Sequence, residues 1–466
     1  MLFSSIPFLY YFLPVTILIY LIAPVRIKNT VLLFASLFFY AWGERKLVLL
    51  FAITITLAWL FGLAIEKTRG NKYSKLLLIL SIVVNLCILC YFKYLNFFIT
   101  NLNNAFGLSI AVLKIALPIG ISFYIFQIIS YTVDVYNGDA HAQRNIIKFA
   151  TYISLFPQLI AGPIVRYSAI SGQLNSRPST IDGIAAGLRR FVIGLGKKVI
   201  IANSLGELCT IFRNSSDSSI LFYWIYAISF TLQVYFDFSG YSDMAIGMGK
   251  IFGFDFPENF NYPYISTSIT EFWRRWHISL GSWFRDYVYI PLGGNRHGML
   301  RQLFNIFIVW SLTGLWHGAA WNFIIWGLFY AVLLAIEKIG FKRFLQQHLV
   351  LGHFYVMFMV IIGFVIFNAA SLTELGRDLS CLFGLDRLPA VSSQALYYLK
   401  SYAIILVIAV IGSTPLPKKL VLLAKKKSCL SFIIDIIEPI LLAGIFLIVS
   451  AYLIDGSFNP FLYFRF

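Results

Sequence analysis

The chain has little charge for its length, and acidic residues are especially scarce. Only 12% of its 466 residues are charged, and 20 Asp and Glu stand against 37 Lys and Arg, which gives a net charge of +17. A soluble domain carries about twice that charged fraction, so an ordinary soluble fold is excluded. The 59% share of hydrophobic residues instead predicts a polytopic membrane protein. In such a protein the excess of Lys and Arg indicates topology and contact with anionic lipid, and we expect no nucleic-acid partner.

Cysteines are also few, and none of the common catalytic or metal motifs occurs in the sequence. The five cysteines form no disulfide framework. The close pair Cys87 and Cys90 lies inside an apolar run, which favours a packing role over redox or zinc chemistry. The chain contains no HExxH, EF-hand, G-x-S-x-G, P-loop or G-x-G-x-x-G pattern. We therefore expect no metal and no bound cofactor, and serine nucleophiles and nucleotide hydrolysis lack support.

Long apolar runs dominate the sequence. A membrane-spanning helix needs about 20 mostly apolar residues, and runs such as Phe149–Ile164 and Leu221–Phe238 recur along the chain. We predict an all-α polytopic membrane protein with about 11–13 transmembrane helices plus re-entrant and interfacial helices. We expect a single polytopic domain over residues 1–466, embedded in the lipid bilayer.

Glycine and proline interrupt the apolar pattern in the middle of the chain. Examples are Leu117-Pro-Ile-Gly120, Ala161-Gly-Pro163 and Pro291-Leu-Gly-Gly294. Broken backbone at membrane depth survives only where protein buries it or where it lines a wet cavity. The functional core is therefore predicted at about residues 117–322, and the two ends of the chain are expected to serve packing.

Two histidines, His277 and His317, lie in the most polar and tryptophan-rich stretch of the chain. An ionisable side chain at membrane depth usually has a function or a partner, and histidine is well placed to move a proton near neutral pH. His317 lies in the apolar run Leu303–Ala320, where Gly314 and Gly318 allow close helix approach and are expected to leave space beside the imidazole. We favour a buried general base over a histidine bonded to a neighbouring carbonyl.

The segment Trp273–Tyr287 has the periodicity of one amphipathic helix, at about 100° per residue. One face carries Trp273, Trp276, Leu280, Trp283, Phe284 and Tyr287, and the other carries Arg274, Arg275, Ser279, Ser282, Arg285 and Asp286. A helix with such a basic side is expected to lie in the membrane plane. His277 is placed beside the aromatic face, and for this residue a role in the substrate path is favoured over plain packing.

Two carboxylates, Asp237 and Asp243, interrupt an apolar run that also contains hydroxyls and a glycine. An intramembrane aspartate is costly unless it is paired. Four roles stay open: orienting a histidine, pairing with an arginine such as Arg166 or Arg274, binding a cation, or forming an ion pair that holds a broken helix. The spacing is not that of a metal site.

Five motifs follow one another through the centre of the chain, namely Tyr235-Phe-Asp-Phe-Ser-Gly-Tyr-Ser-Asp243, Phe260-Asn-Tyr-Pro-Tyr264, Phe272-Trp-Arg-Arg-Trp-His277, Tyr289-Ile-Pro-Leu-Gly-Gly-Asn-Arg296 and Thr313-Gly-Leu-Trp-His-Gly318. In this order they resemble the membrane-bound O-acyltransferase family, and most closely its bacterial alginate O-acetylation-type branch. The similarity extends from the first predicted span to about residue 340. The resemblance implies a catalytic core at about residues 117–340 and tilted helices around a central funnel.

The resemblance implies an O-acyltransferase that moves an acyl group, acetyl foremost, from a cytoplasmic thioester donor such as acetyl-CoA to a hydroxyl. The hydroxyl would belong to an extracytoplasmic polysaccharide or to a relay partner. It also implies a separate hydrolase-fold acetyl-transfer protein outside a bacterial cytoplasmic (inner) membrane. His317 matches the family's active-site histidine, and His277 matches its second motif position. The candidate substrate-binding residues are Trp273, Arg274, Arg275, Trp276, Trp316, Asp237 and Asp243.

In such a reaction His317 would act as the general base that takes the proton of the attacking hydroxyl, a contribution of about 10²–10⁴-fold. The oxyanion donor is left open among a backbone N–H, an indole N–H such as that of Trp276, and protonated His277. An alternative function is a membrane transporter or flippase of glycan precursors, which explains the spans and the intramembrane charge without a catalytic base. A third alternative, a scaffold for an export complex, predicts that neither histidine matters.

Overall fold

The computed structural model describes residues 1–456, and its regular structure in this part of the chain is helical, with no β-strand. The prediction of an all-α protein is confirmed. Residues 457–466, the end of the predicted domain, lie outside the described part. Contacts group the chain into two compact units, one formed by Met1–Phe191 with Met244–Pro257 and the other by Val192–Asp243 with the chain from Glu258 onward. The single membrane domain stays a prediction.

The first unit contains the N-terminal helices. They are α1 (Leu13–Ile22), α2 (Lys28–Gly43), α3 (Val48–Lys67), α4 (Lys72–Leu89), α5 (Leu95–Phe106), α6 (Ile121–Asn137), α7 (Ile146–Ser154), α8 (Phe156–Leu159), α9 (Tyr167–Asn175) and most of α10 (Ile181–Gly196). The buried guanidinium of Arg177 donates to the Tyr20 hydroxyl and the Phe252 carbonyl oxygen, each at 3.0 Å, and to Asn29 Oδ1 at 2.8 Å. A buried charge needs such partners, so these bonds hold together segments distant in sequence.

The second unit contains the remaining helices, except the end of α12 (Ile220–Ile251) from Met244, which belongs to the first unit. They are α11 (Asn203–Asn214), α12 (Ile220–Ile251), α13 (Ile269–Arg275), α14 (Ile278–Phe284), α15 (Gly298–His317), α16 (Trp321–Ile336), α17 (Lys342–Gln347), α18 (Leu349–Asn368), α19 (Leu372–Leu382), α20 (Ser393–Ser401), α21 (Ala403–Gly412), α22 (Leu416–Ala424) and α23 (Ser428–Ile454). Two π-helical turns, Arg285–Tyr289 and Glu337–Phe341, extend α14 and α16. Such turns are often found at functional sites.

Six helical stretches in the described residues are long and apolar enough to cross a membrane, namely Arg45–Lys67, Lys72–Phe106, Ile220–Ile251, Trp321–Gln347, Leu349–Asn368 and Ser428–Ile454. The bent pair α20 and α21 makes a seventh if it counts as one span. The multi-pass membrane protein is thus confirmed. Some of the apolar runs counted toward the predicted number of spans form shorter helices. Phe149–Ile164 divides at Leu155, and Pro157 lies in the first turn of α8, where its missing N–H breaks no helix bond.

Helices α15 and α16 pack with their backbones in direct contact. A Cβ atom added at Gly314 would lie 2.3 Å from the Phe323 carbonyl oxygen, and one added at Gly327 would lie 2.3 Å from the Trp310 carbonyl oxygen. Glycine alone permits this spacing, because every other residue carries a Cβ. The close helix approach predicted at Gly314 is confirmed, and it holds His317, the last residue of α15, close to α16.

The single amphipathic helix predicted over Trp273–Tyr287 is wrong, because the chain breaks at His277. Trp276 is extended, and His277 adopts a left-handed conformation with φ 45° and ψ 53°. The carbonyl of Asn259 accepts a hydrogen bond from the Ile278 N–H at 3.0 Å. A partner distant in sequence thus replaces the helical hydrogen bond, and local periodicity carries no sign of it.

Candidate active site

A cavity of about 500 Å³ lies in the second unit, lined by residues of α13, α14, α15 and the end of α16. Small-molecule sites have volumes of about 300–1,000 Å³. Five of the predicted site residues line it, namely Trp273, Arg274, Trp276, His277 and His317. The structure therefore brings the two predicted histidines, which are distant in sequence, to one cavity.

His317 is enclosed by aromatic rings at the end of α15. Its ring centroid lies 5.0 Å from that of Trp326, 5.1 Å from that of Trp316 and 5.3 Å from that of Phe367, all edge-to-face. The residue is 8% exposed and lines the cavity. A nearly buried imidazole beside a cavity and among rigid rings has the low water access that suits a general base.

The space expected beside the imidazole at Gly318 is not there, and that prediction is wrong. A Cβ atom added at Gly318 would lie 2.2 Å from the ring of Phe323. Where two helices approach closely at small residues, side chains of the second helix fill the space beside those residues. Here the Phe323 ring of α16 fills the space at Gly318. The open volume lies one turn earlier on α15, where Thr313 lines the cavity.

The imidazole of His277 is 2% exposed and is packed between rings. Its centroid lies 4.6 Å from that of Phe238 and 5.9 Å from that of Trp316, the tryptophan that also contacts His317. His277 lies outside the helices that can cross a membrane. Burial lowers the pKa of His277 to about 3 because desolvation disfavours the charged ring. Burial therefore favours the neutral ring at pH 7, which argues against protonated His277 as the oxyanion donor.

Two tryptophans form part of the cavity wall. The ring of Trp273 lies 4.7 Å from that of Trp310 and 4.8 Å from that of Tyr330. Trp276 is 5% exposed and lies 5.1 Å from the ring of Phe260. Rings packed edge-to-face are rigid and exclude water, so this wall lowers the local dielectric and strengthens electrostatic interactions inside the cavity.

Three cationic side chains also line the cavity, namely Arg274, Arg285 and Lys338, and all three are exposed. The Nε atom of Arg285 lies 2.6 Å from Asp286 Oδ1. Within the described residues, neither Arg274 nor Lys338 has an ion-pair partner, so both charges are available to an anionic ligand. Sequence analysis missed Lys338, because it follows an apolar run and no local motif points to it.

Two other predicted substrate-binding residues, Arg275 and Trp316, contact neighbours of the cavity but do not line it. Arg275 forms a salt bridge with Glu271, with 2.9 Å between Nη2 and Oε1, and donates to the Asn261 carbonyl oxygen at 3.1 Å. Trp316 is buried and lies between the rings of the two histidines. Neither is among the residues that line the cavity, so their contacts support the wall, and a direct role in substrate binding stays a prediction.

Asp237 and Asp243 form ion pairs with consecutive lysines. Asp237 Oδ1 lies 2.5 Å from Lys198 Nζ, and Asp243 Oδ2 lies 2.7 Å from Lys197 Nζ. The suggested pairing with Arg274 is not found among the described residues, where lysines of the π-helical segment after α10 hold the carboxylates. The pairing with Arg166 stays a prediction. The helix that carries both aspartates, α12, is continuous and not broken. Neither aspartate lines the cavity.

Glu337 is a buried carboxylate that sequence analysis missed, and it caps the helix carrying three cavity residues. It is 2% exposed. Its Oε1 accepts from the Ile269 N–H at 2.5 Å, and its Oε2 accepts from the Thr270 N–H at 2.9 Å and from the Thr270 hydroxyl at 2.6 Å. An anion at a helix N-terminus satisfies the free N–H groups and the helix dipole. Glu337 therefore positions α13, which carries Trp273 and Arg274.

Replacing Glu337 with glutamine is expected to destabilise the protein by about 1–3 kcal/mol, because one of two buried N–H groups loses its acceptor. Thermal unfolding of the purified protein in detergent measures the change. Asp182→Asn is the matched control, since Asp182 is an exposed acid in the first turn of α10. An unchanged melting temperature for Glu337→Gln would show that the cap contributes nothing to stability.

The sequence model of the membrane-bound O-acyltransferase family matches residues 34–375 of the chain, and the chain belongs to that family. It is 46% identical over 395 residues to the probable alginate O-acetylase AlgI of Pseudomonas aeruginosa, covering 82% of this chain and 75% of that one. It is 40% identical over 499 residues to the probable alginate O-acetylase AlgI of Azotobacter vinelandii, covering 100% of both. It is 36% identical over 423 residues to the peptidoglycan O-acetyltransferase of Helicobacter pylori, covering 83% and 80%.

The protein is therefore a multi-pass membrane O-acyltransferase. The resemblance to the alginate O-acetylation-type branch is confirmed by relatives of that name along the whole chain. The match covers both histidines and every residue that lines the cavity.

Proposed function

We propose that this protein moves an acyl group, acetyl foremost, from a cytoplasmic acyl thioester such as acetyl-CoA to a hydroxyl outside the membrane. The observation that supports this reaction is the single cavity in which His317, His277 and the cations Arg274 and Lys338 converge. The cations fit an anionic donor, and the histidines fit proton transfer. The catalytic core in this proposal is about residues 117–340, which contain all of these groups.

The acceptor in this proposal is a sugar hydroxyl of an extracytoplasmic polysaccharide, reached directly or through a relay partner. The names of the relatives, alginate O-acetylase and peptidoglycan O-acetyltransferase, support a glycan acceptor. The protein would act in the bacterial cytoplasmic (inner) membrane, and a separate hydrolase-fold protein would carry the acetyl group onward. The resemblance of this chain's motifs to the alginate O-acetylation-type branch supports the existence of such a partner. The residues of this chain do not identify it.

The proton balance of the transfer assigns a role to His317. The hydroxyl oxygen attacks the thioester carbonyl while His317 takes its proton, and the new C–O bond forms a tetrahedral oxyanion. Collapse of this species breaks the C–S bond, and the leaving thiolate takes the proton back from His317. Trp273 and Trp276 keep water out of the cavity, so transfer to the hydroxyl is favoured over hydrolysis.

The double variant Arg274→Gln/Lys338→Gln tests the donor assignment. If both cations bind the phosphates of acetyl-CoA, the KM for acetyl-CoA is expected to rise by about tenfold or more with kcat little changed. Hydrogen bonds to charged groups are worth about 1.5–3 kcal/mol, and about 1.4 kcal/mol is tenfold in affinity. The measurement is release of radiolabelled acetyl from acetyl-CoA by the protein in nanodiscs, with envelope partners added.

Arg301→Gln is the matched control, since Arg301 is an exposed arginine of α15 that does not line the cavity. Its KM is expected to equal that of the wild type. An unchanged KM in the double variant would place the donor elsewhere. A wild-type protein that releases no label with partners present would reject acetyl-CoA as the donor.

A further inference from the structure

Asn259 holds the segment that carries His277 through four hydrogen bonds. It lies in the stretch between α12 and α13 and is 0% exposed. Its carbonyl oxygen accepts from the Ile278 N–H at 3.0 Å. Its side-chain Oδ1 contacts His277 Nδ1 at 3.2 Å, the Ser279 N–H at 3.2 Å and the Ser279 hydroxyl at 2.9 Å. A side chain with so many bonds to one short segment sets the position of that segment.

The backbone of Ser279 decides which atom of the Asn259 amide faces it. A peptide N–H can only donate, so the amide atom that it meets must be the oxygen. A flipped amide would turn its NH₂ donors toward another donor, and the usual ambiguity between nitrogen and oxygen in an asparagine does not arise here. The atom 3.2 Å from His277 Nδ1 is therefore an acceptor.

An acceptor beside Nδ1 decides the tautomer of His277. A neutral imidazole carries one proton, on either Nδ1 or Nε2, and the nitrogen without a proton only accepts. Two acceptors do not form a hydrogen bond with each other, so Nδ1 must carry the proton and donate it to Asn259. Burial, which lowers the pKa of His277 to about 3, keeps a second proton off Nε2 at pH 7.

The backbone and the neighbouring rings fix the orientation of His277. Its left-handed conformation, with φ 45°, costs a residue other than glycine about 1–2 kcal/mol. Such strain persists only where the surroundings over-determine it, and it concentrates at functional sites. The bonds from Asn259 to the next two residues hold the conformation, while Phe238 packs edge-on 4.6 Å from the imidazole.

We propose that Asn259 is a positioning residue that fixes His277 as the imidazole with its proton on Nδ1 and its lone pair on Nε2. The proposal rests on the proposed function only for what Nε2 acts on. A lone pair accepts a hydrogen bond and cannot donate one, so His277 accepts from a second hydroxyl of the acceptor sugar, other than the one that attacks, and does not stabilise the oxyanion. His317 takes the proton of the attacking hydroxyl, and a backbone or indole N–H stabilises the oxyanion.

The tautomer is measured directly by solid-state NMR of the full-length protein in lipid with histidine-selective ¹⁵N and ¹³C labels. Protonated and unprotonated ring nitrogens have different ¹⁵N shifts, and correlation to ring carbons tells Nδ1 from Nε2. The chain has 6 histidines, and the His277 signals are those lost in His277→Gln. At pH 7 we expect a protonated Nδ1 and an unprotonated Nε2. A proton on Nε2 would overturn the proposal.

Two variants of Asn259 test whether this residue sets the tautomer. Asn259→Leu removes the acceptor, and we expect mixed tautomers and a fall in kcat of about tenfold or more, with the donor KM within about twofold. Loss of tautomer control in a serine-protease triad costs about 10⁴-fold in kcat. Asn259→Asp keeps an acceptor oxygen, and it is expected to keep Nδ1 protonated with activity above that of the leucine variant.

Ser279→Ala is the matched control, because it removes a hydrogen bond to Asn259 without touching the His277 contact, and it should leave the tautomer unchanged. An Asn259→Leu variant that keeps a single Nδ1–H tautomer would show that Asn259 only supports the fold. If that variant does not fold, the wild-type spectrum still tests the proposal, because a proton on Nε2 of His277 would overturn it. An Nε2–H tautomer in an active enzyme rejects this inference alone, whereas the expected tautomer in a protein inactive with acetyl-CoA rejects only the proposed function.

Discussion

Replacing His317 with alanine is expected to lower kcat for acyl transfer by about 10²–10⁴-fold, the usual contribution of a general base. The enclosing rings of Trp326, Trp316 and Phe367 lie 5.0, 5.1 and 5.3 Å away, and they limit the water that could replace the base. His277 cannot substitute, since a ring with a pKa of about 3 is a weak proton acceptor at pH 7. Single-turnover loss of radiolabelled acetyl from acetyl-CoA in nanodiscs gives the rate.

His297→Ala is the control for this measurement. His297 is exposed and lies at the start of α15, the helix that His317 ends, so the two variants remove the same side chain from opposite ends of one helix. His297→Ala should keep the wild-type rate. Equal losses in both variants at matched folding, or full activity in His317→Ala, would reject His317 as the base.

Removing the charge of Asp237 is expected to destabilise the protein by about 3–5 kcal/mol, the cost of leaving a buried charge without its partner. The Lys198 side chain is 2% exposed and the Asp237 side chain 3%. Asp237→Asn therefore strands an ammonium group where little water can solvate it. Denaturant or thermal unfolding in detergent, compared with the wild type, measures the loss.

Two controls separate the loss of pairing from the loss of a side chain. The double variant Asp237→Leu/Lys198→Met replaces both charges with apolar groups, and its stability is expected to lie close to that of the wild type. Asp243→Asn breaks a pair whose side chains are 17% and 26% exposed, and it should cost less than Asp237→Asn. Equal costs for the two aspartates would contradict the dependence on burial.

The sequence alone predicted the membrane class and five of the residues that line the cavity. Ionisable and indole side chains in an apolar chain are costly to place, so His277, His317, Trp273, Trp276 and Arg274 stood out by type, and all five line one cavity. The resemblance of the motifs predicted the family. These signals are local, which is why they can be read from neighbouring residues along the chain.

What the sequence did not predict depends on contacts between distant residues. The chain breaks at His277 because Asn259 supplies hydrogen bonds that the helix would otherwise make, and helical periodicity carries no sign of that partner. The lysine partners of the aspartates and the cap by Glu337 also come from other elements. Burial and pairing of this kind follow from tertiary packing.

The prediction of open space at Gly318, beside His317, was wrong for a related reason. Small residues at Gly314 and Gly318 correctly predicted close packing, but which side chain of the neighbouring helix enters the gap depends on the register of α16. The ring of Phe323 occupies it. A glycine in a helix indicates that another part of the chain packs closely against it, but only the structure identifies the residue that does so.

The backbone contact between α15 and α16 restricts which acyl chains the cavity can be redesigned to take. Gly314 and Gly327 leave these helices no room to move closer, and larger residues there would drive the helices apart and displace His317. Under the proposed function, the cavity can be enlarged for a longer acyl chain at lining residues away from this contact, such as Leu280 and Ser282 of α14. A change of acyl selectivity made at these residues of α14 is therefore expected to leave the position of His317 on α15 intact.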